Sequence, residues 1–141
     1  MPALLVRHAS AGDRDQWGGD DRLRPLDEQG RKQAADLVPL LRAHRVTRLL
    51  SSPAVRCRQT VKPFAEAHGV VIEERDELAE GAGRSAALGL LEALGAAVAA
   101  LCTHGDVIEG LLGREIEKGS ACLVEPGPSG VRELGYVPPA A

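Results

Sequence analysis

Two histidines in this chain each follow an apolar run. Arg7 and His8 come directly after the run at residues 3–6, and His104-Gly105 closes a later apolar run. Such runs predict buried strands, and the carboxyl ends of parallel strands meet at one edge of a sheet. We therefore expect both imidazoles to lie in one shared site.

Imidazole and guanidinium groups at one site suit phosphoryl transfer. A neutral imidazole can attack phosphorus, and guanidinium groups bind phosphate oxygens through bidentate, charge-assisted hydrogen bonds. Arg7 stands next to His8, and Arg56 falls on the first turns of a predicted helix whose N-terminus adds partial positive charge. The sequence therefore predicts a phosphate site built from these side chains.

Composition sets the scale of the molecule. A chain of 141 residues is about the size of one domain, so we expect a single domain over residues 1–141. With 44% hydrophobic residues but one Trp, one Tyr and one Phe, the core must consist of Leu, Val, Ala and Ile. The net charge of −3 gives no general attraction to nucleic acid or to an anionic membrane.

The three cysteines, Cys57, Cys102 and Cys122, lack the spacing of zinc or redox motifs and are interpreted as reduced thiols in the core. No apolar stretch approaches the roughly 20 residues that span a bilayer, and the N-terminus begins a strand without a signal sequence. We expect a cytoplasmic protein that needs neither a metal ion nor a cofactor.

Apolar runs alternate with helical patterns along the chain. The predicted strands are residues 3–7, 46–51, 70–73, 97–103, 121–125 and 131–137. Four helices are predicted. The first begins after Asp27 as N-cap, and the second has Ser52 as N-cap and runs from Pro53 to Ala67. The third covers residues 85–94, and the fourth begins at Gly105. Residues 126–130 are predicted to form a turn. This alternation predicts an α/β three-layer sandwich, with a mostly parallel central sheet and helices on both faces.

Four segments resemble, in order, motifs of the histidine phosphatase superfamily, also called the phosphoglycerate-mutase-like family. They are Leu5-Val6-Arg7-His8, the R-P-L-D-x-x-G segment at residues 24–30, residues 51–60 (SSPAVRCRQT), and Cys102-Thr103-His104-Gly105-Asp106. Together they span most of the chain. In its short length and in the segment at residues 24–30, the chain is most similar to SixA-type phosphohistidine phosphatases. It is also similar to the phosphatase domain joined to some Nudix hydrolases.

The resemblance implies roles for the residues that match its motifs. His8 is implied to be the nucleophile, which becomes transiently phosphorylated. Arg7, Arg56 and His104, with Gly105, are implied to bind the phosphate oxygens and to stabilise the charge that develops on them.

A proton donor for the leaving group is also implied, from an acidic residue after the third strand. Residues 77–81 (ELAEG) are similar to the family's L-x-E segment, which favours Glu80, with Glu77 as second choice. A phosphate beside an acid helps to keep it protonated near neutral pH. SixA-type members often lack this acid, so Glu80 favours ester or anhydride leaving groups.

The charged loop after His8 supplies candidate substrate contacts. Arg14 and Arg22 are candidates for the distal part of a substrate, Trp17 for stacking on a base or covering the site, and Ser10 for donating to the phosphate. The alternative is that this loop is simply a solvated surface.

The sequence and the resemblance together predict a metal-independent phosphatase that uses a phosphohistidine intermediate. Its partner is expected to be a phosphorylated protein, carrying phosphohistidine, or a small phosphorylated metabolite, with no nucleic acid and no membrane. The alternatives are a nucleotide or sugar-phosphate phosphatase, a mutase, and a phosphate-recognition module without turnover.

Overall fold

Strands and helices alternate along most of the chain in the computed structural model, which describes residues 2–95, 97–127 and 130–139. In chain order the elements are β1 (Ala3–Arg7), α1 (Glu28–Ala43), β2 (Arg48–Ser51), α2 (Val55–His68), β3 (Ile72–Glu74), α3 (Arg84–Glu92), β4 (Ala99–Thr103), α4 (Gly105–Leu112), β5 (Ala121–Gly127) and β6 (Gly130–Val137). Short 3₁₀ turns cover Arg14–Gln16, Asp21–Leu23 and Asp76–Leu78.

The strands of the described residues form one mixed sheet in the order β3-β2-β4-β1-β5-β6. The first four of these pair in parallel, whereas β5 runs antiparallel to β1, and β6 antiparallel to β5. A hairpin needs only a short turn, while each parallel pair needs a longer crossover, which the helices supply here. The predicted α/β fold with a mostly parallel sheet is confirmed, and an antiparallel hairpin forms one edge.

Helices cover both faces of the sheet, as the sequence predicted. One face packs against α1 and α2 through Leu37, Leu41, Val61 and Phe64. The other face packs against α3 and α4 through Ala87, Leu91, Ile108 and Leu111. Full burial of a leucine or isoleucine side chain contributes roughly 1.5–3 kcal/mol, so these two layers supply the main driving force for folding.

Helix α1 begins where the sequence predicted. The side chain of Asp27 accepts a hydrogen bond from the backbone N–H of Gly30 at 2.7 Å, which caps the helix. Pro39 lies inside the helix and removes one backbone donor, but it does not end it. Leu37 and Leu41 on either side of it are buried in the core, and their packing holds the last turns in place.

The predicted start of α2 is wrong. Its N-cap is Ala54, without a side-chain cap, and the helix begins at Val55 rather than at Pro53. Ser52, the predicted cap, instead places its hydroxyl 2.8 Å from Nε2 of His104, and the same oxygen accepts from the N–H of Ala54. The helix ends at His68, one residue beyond the predicted Ala67, and Gly69 follows in the left-handed conformation.

Other predicted bounds need small corrections. β2 begins at residue 48 rather than 46, β3 covers 72–74 rather than 70–73, α3 covers 84–92 rather than 85–94, and β4 begins at 99 rather than 97. In the predicted turn at 126–130, Pro126 and Gly127 belong to β5 and pair with Val131 and Gly130 of β6. Residues 128 and 129 of that turn lie outside the described residues.

The cysteines occupy the positions that were predicted for them. Cys57, Cys102 and Cys122 are all buried, and each is a free thiol. Among the helices of the described residues, none has the length and apolar character that crossing a bilayer requires.

Candidate active site

The two histidines singled out in the sequence lie at the carboxyl ends of neighbouring parallel strands. β1 pairs with β4 so that Arg7 lies opposite Thr103, and the N–H of His8 donates to the carbonyl of Thr103 at 3.1 Å. The ring centroids of His8 and His104 are 5.4 Å apart, with an angle of 64° between the ring planes. The sheet register therefore brings both imidazoles into one site.

His8 is held in one tautomer by its own backbone. Nδ1 lies 2.9 Å from the carbonyl oxygen of Ala9, which accepts only, so Nδ1 carries the proton and Nε2 keeps its lone pair. Burial lowers the pKa of His8 from 6.5 to about 3, although the hydrogen bond to the Ala9 carbonyl raises it; electrostatic interactions with His104, Arg56 and Arg7 lower it further. His8 is therefore a neutral imidazole with a free nucleophilic nitrogen.

The segment after His8 is fixed by side chains of two helices. The N–H of Ala9 donates to the hydroxyl of Thr60 in α2 at 3.0 Å. Ser10 donates through its backbone N–H to Gln33 of α1 and through its hydroxyl to Asp27 at 2.7 Å. The Ser10 hydroxyl is thus bound to the carboxylate that caps α1 rather than directed at a bound phosphate.

Arg7 packs against the start of α4. A Cβ added at Gly105 would lie 3.0 Å from the guanidinium carbon of Arg7, so a larger residue there would have to displace this side chain by a few tenths of an ångström. Nη1 of Arg7 donates to the carbonyl of Ile116 at 2.6 Å, whereas its Nε is buried without a hydrogen-bond partner. A buried donor without a partner is costly unless a ligand satisfies it, so it favours an anion site at this place.

Arg56 and His104 contact each other at the opposite side of the site. The Arg56 side chain is buried, and Nη2 donates to Nδ1 of His104 at 3.3 Å. Since Nδ1 accepts, we assign the proton of His104 to Nε2, which donates to the hydroxyl of Ser52 at 2.8 Å. The sulfur of Cys57 lies 3.6 Å from the same nitrogen. Ser52 and Cys57 stand in the motif at residues 51–60, but no sequence signal assigned them to the site.

Asp21 joins three arginines. Its carboxylate contacts Nη2 of Arg56 at 3.1 Å, Nε of Arg24 at 3.0 Å and Nε of Arg14 at 3.3 Å. Although partial burial raises it, the pKa of Asp21 lies below its usual value, because Arg24 hydrogen-bonds the carboxylate and the charges of Arg56 and Arg14 stabilise it. Neither Asp21 nor the buried Arg24 was predicted at the site, since each was one of many charges in a polar loop.

Two cavities open onto these residues. The His8 cavity, of about 360 Å³, is lined by His8, Gly105, the basic residues Arg7, Arg14, Arg24 and Lys118, and the acidic residues Glu80, Asp106, Glu109 and Glu115, among others. The Arg56 cavity, of about 410 Å³, is lined by Arg56, His104, Ser52 and Glu80, among others. Glu80 lines both, so it stands between the two halves of the site.

The structure separates the two candidate proton donors. Oε2 of Glu80 lies 2.8 Å from Nη2 of Arg14 and 3.8 Å from Nη2 of Arg56. Glu77 lines neither the His8 cavity nor the Arg56 cavity. By position, Glu80 is the acidic residue that reaches the arginines and both cavities.

The candidate substrate contacts in the loop after His8 fall in different places. Arg14 lines the His8 cavity, and Arg22 lies on the rim of the Arg56 cavity, where it pairs with Asp20. Trp17 donates its indole N–H to the carbonyl of Asp20 at 2.9 Å and lines neither cavity, so its predicted stacking role has no support here. Over residues 2–95, 97–127 and 130–139, no cluster of three or more His, Cys, Asp and Glu side chains is arranged to hold a metal ion.

Comparison with known proteins identifies the family of the chain. The family model of the histidine phosphatase superfamily (branch 1) matches residues 3–89. The 8-oxo-(d)GTP phosphatase of Mycolicibacterium smegmatis is 42% identical over 114 residues, which cover 77% of this chain but 35% of that protein. The chain thus spans about a third of this relative.

Solved structures share the whole fold. The putative phosphohistidine phosphatase SixA from Agrobacterium tumefaciens superposes with a TM-score of 0.80 at 25% identity, covering 98% of this chain and 97% of that one. A protein histidine phosphatase SixA complexed with tungstate gives the same TM-score and coverage at 20% identity, which supports the fold alone. The predicted family is confirmed: the chain belongs to the histidine phosphatase superfamily.

Proposed function

We propose that the chain is a phosphatase that carries the phosphoryl group of its substrate on His8 and then transfers it to water, without a metal ion. The observation that carries the proposal is the state of His8. Its Nδ1 is bound to the Ala9 carbonyl, and its low pKa keeps the ring neutral, which leaves Nε2 as a nucleophile at ordinary pH.

The reaction has two displacements at phosphorus. In the first, Nε2 of His8 forms a bond to phosphorus while the bond to the leaving-group oxygen breaks, and that oxygen takes a proton from Glu80. In the second, Glu80 accepts a proton from water, the water oxygen attacks phosphorus, and the nitrogen–phosphorus bond breaks. The products are the alcohol or shorter phosphate, orthophosphate and the original neutral His8.

Charge on the transferring group is stabilised by the side chains around His8. Arg7, with its unpartnered Nε, and the buried Arg56 supply positive charge, and His104 positions Arg56 by accepting a hydrogen bond from its Nη2. The backbone at Gly105 opens α4, whose N-terminus adds partial positive charge. Preorganised donors of this kind are usually the largest catalytic contribution, and losing one costs roughly 10²–10³ in rate.

A small phosphoester or a nucleotide is the substrate class that we favour. Glu80 lines both cavities, which supports it as the proton donor to an alkoxide or phosphate leaving group, and such a group leaves poorly without a proton. The name of the 42% identical relative points to a nucleotide as well. Phosphohistidine in a protein is the second candidate, favoured by the likeness to the SixA of A. tumefaciens.

The test is hydrolysis of p-nitrophenyl phosphate in the presence of a chelator. We expect turnover to persist with the chelator and to vanish in His8→Ala. His44→Ala is the matched control, because His44 lies at the end of α1 and should leave turnover unchanged. Intact protein that binds orthophosphate but turns over no member of a panel of nucleotides, sugar phosphates and phosphohistidine protein would instead be a recognition module.

A further inference from the structure

A third cavity adjoins the site on the far side of Arg7. This Tyr136 cavity has a volume of about 440 Å³ and is lined by Arg7, Arg114, Glu115, Ile116, Glu117 and Tyr136. It shares Arg7 and Glu115 with the His8 cavity. The two cavities are therefore neighbours, with Arg7 and Glu115 between them.

The sheet register places Tyr136 on the same face as Arg7. Leu5 pairs with Cys122, and Cys122 pairs with Tyr136, so these three side chains share one face of the sheet. Arg7 lies two residues beyond Leu5 and points to that face as well. Tyr136 lies two strands away from β1 and two residues from Arg7 along the strand direction, so the Cα atoms of Arg7 and Tyr136 are roughly 12 Å apart. That span leaves room for a pentose between a phosphate at Arg7 and a ring at Tyr136.

Arg114 lies over one face of the Tyr136 ring in this cavity. The guanidinium carbon of Arg114 lies 5.1 Å from the centroid of the Tyr136 ring. Glu133 pairs with Arg114, which fixes the guanidinium in place. Tyr136 is the one tyrosine of the chain, and 37% of its surface is exposed. Phenol rings and guanidinium planes are the groups on which nucleobases stack.

The remaining lining residues suit the edge of a base. Glu115 and Glu117 line the Tyr136 cavity, and a glutamate carboxylate only accepts hydrogen bonds. They therefore favour a base that presents N–H donors on its edge, as guanine does with its amino group. A base that presents only acceptors at that edge would meet repulsion.

We propose that the Tyr136 cavity binds the nucleobase of a 5′-nucleotide while the phosphate lies at His8. The base stacks on the outer face of the Tyr136–Arg114 pair, and Glu115 and Glu117 accept hydrogen bonds from its edge. This assignment deepens the proposed function and rests on it for the position of the phosphate.

The experiment measures binding, so that it does not depend on turnover. Dissociation constants for GMP, GDP and ribose 5-phosphate are measured by calorimetry with the His8→Ala chain, and again after adding Tyr136→Ala. Stacking contributes about 1–3 kcal/mol per base, so we expect at least one nucleotide to bind roughly 5- to 150-fold more weakly without Tyr136. Ribose 5-phosphate, which lacks the base, should bind equally to both chains.

Two further variants control for a loss of structure. Tyr136→Phe keeps the ring and should retain nucleotide affinity, whereas Leu134→Ala truncates an exposed apolar residue of the same strand and should change nothing. The inference is overturned if Tyr136→Ala leaves both nucleotide affinities within about twofold, or weakens ribose 5-phosphate as much as the nucleotides. If the native chain hydrolyses no phosphate compound but these binding differences hold, the phosphatase proposal fails and the nucleobase site stands.

Discussion

The carboxylate of Asp21 accepts a hydrogen bond from Nη2 of Arg56 at 3.1 Å, and the backbone carbonyl of Asp21 accepts from Nη1 at 2.8 Å. Both terminal nitrogens of Arg56 are thus engaged by one acidic residue of the loop after His8. In the proposed function Arg56 binds the substrate phosphate, so we expect Asp21 to compete with the phosphate for these two nitrogens.

Neutralising this competitor should tighten phosphate binding. In Asp21→Asn the side chain keeps its shape but loses its charge, so we expect the inhibition constant of orthophosphate to fall about 3- to 10-fold. Asp20→Asn is the matched control, because Asp20 lies in the same loop and pairs with the exposed Arg22 instead. Unchanged or weaker inhibition by orthophosphate in Asp21→Asn would show that Asp21 only orients Arg56.

Removing the acid at Glu80 should affect substrates according to their leaving group. Glu80→Gln is expected to lower kcat/KM for an alkyl phosphate by about 10²–10⁴, because an alkoxide needs a proton as it leaves. An activated aryl phosphate, whose leaving group is already stable as an anion, should be slowed far less. Glu77→Gln serves as control and should leave both rates unchanged. Equal losses on the two substrates in Glu80→Gln would rule out proton donation.

Burial of neutral His8 should make folding stability depend on pH. The pKa of His8 is about 3 in the folded chain against an ordinary value of 6.5 when unfolded, so the unfolded chain binds more protons between these values. The full stability is present above pH 6.5 and is lost as pH falls from there toward pH 3. Between about pH 7.5 and about pH 5 the loss is about 2 kcal/mol.

Urea unfolding at these two pH values measures that loss. His8→Asn should remove about 2 kcal/mol of pH dependence, whereas His44→Asn should retain it. An unchanged pH dependence in His8→Asn would mean that His8 is not held neutral.

The glycine at residue 30 keeps the loop after His8 in place. A Cβ at Gly30 would lie 1.9 Å from the backbone oxygen of Ser10, so Gly30→Ala must displace one of the two segments. We expect a loss of about 1–3 kcal/mol in the free energy of unfolding and a fall in kcat/KM. Gly89→Ala in α3 meets no atom within 4 Å and should instead stabilise the helix by about 0.5–1 kcal/mol. Equal effects of the two substitutions on stability would contradict the close contact with Ser10.

The positions of His8 and His104 were predictable because both follow buried strands, and strand order in an α/β sheet brings such ends together. Asp27 was predictable as a helix cap because the backbone N–H that it accepts from belongs to Gly30, only three residues away. Local sequence patterns of this kind predict the structure correctly when the tertiary contacts favour the same conformation.

Contacts between distant segments were not predictable. Asp21 and Arg56 are 35 residues apart, and nothing in either segment identifies the other as its partner. Ser52 was predicted as a helix cap because the local pattern favours one, but its hydroxyl bonds to His104, 52 residues further on. Trp17 was considered for base stacking since it follows His8 closely, but it lines neither the His8 cavity nor the Arg56 cavity, whereas the antiparallel hairpin brings Tyr136 to the neighbouring cavity.

The most direct test is to trap a phosphoenzyme on His8. Rapid quenching of the native chain with a ³²P-labelled phosphoester should yield protein-bound label that is stable in alkali, labile in acid, and located in the peptide that contains His8. The label should be absent from His8→Ala and present in His44→Ala. Label on another residue, or full turnover by His8→Ala, would contradict the assignment of His8 as the nucleophile.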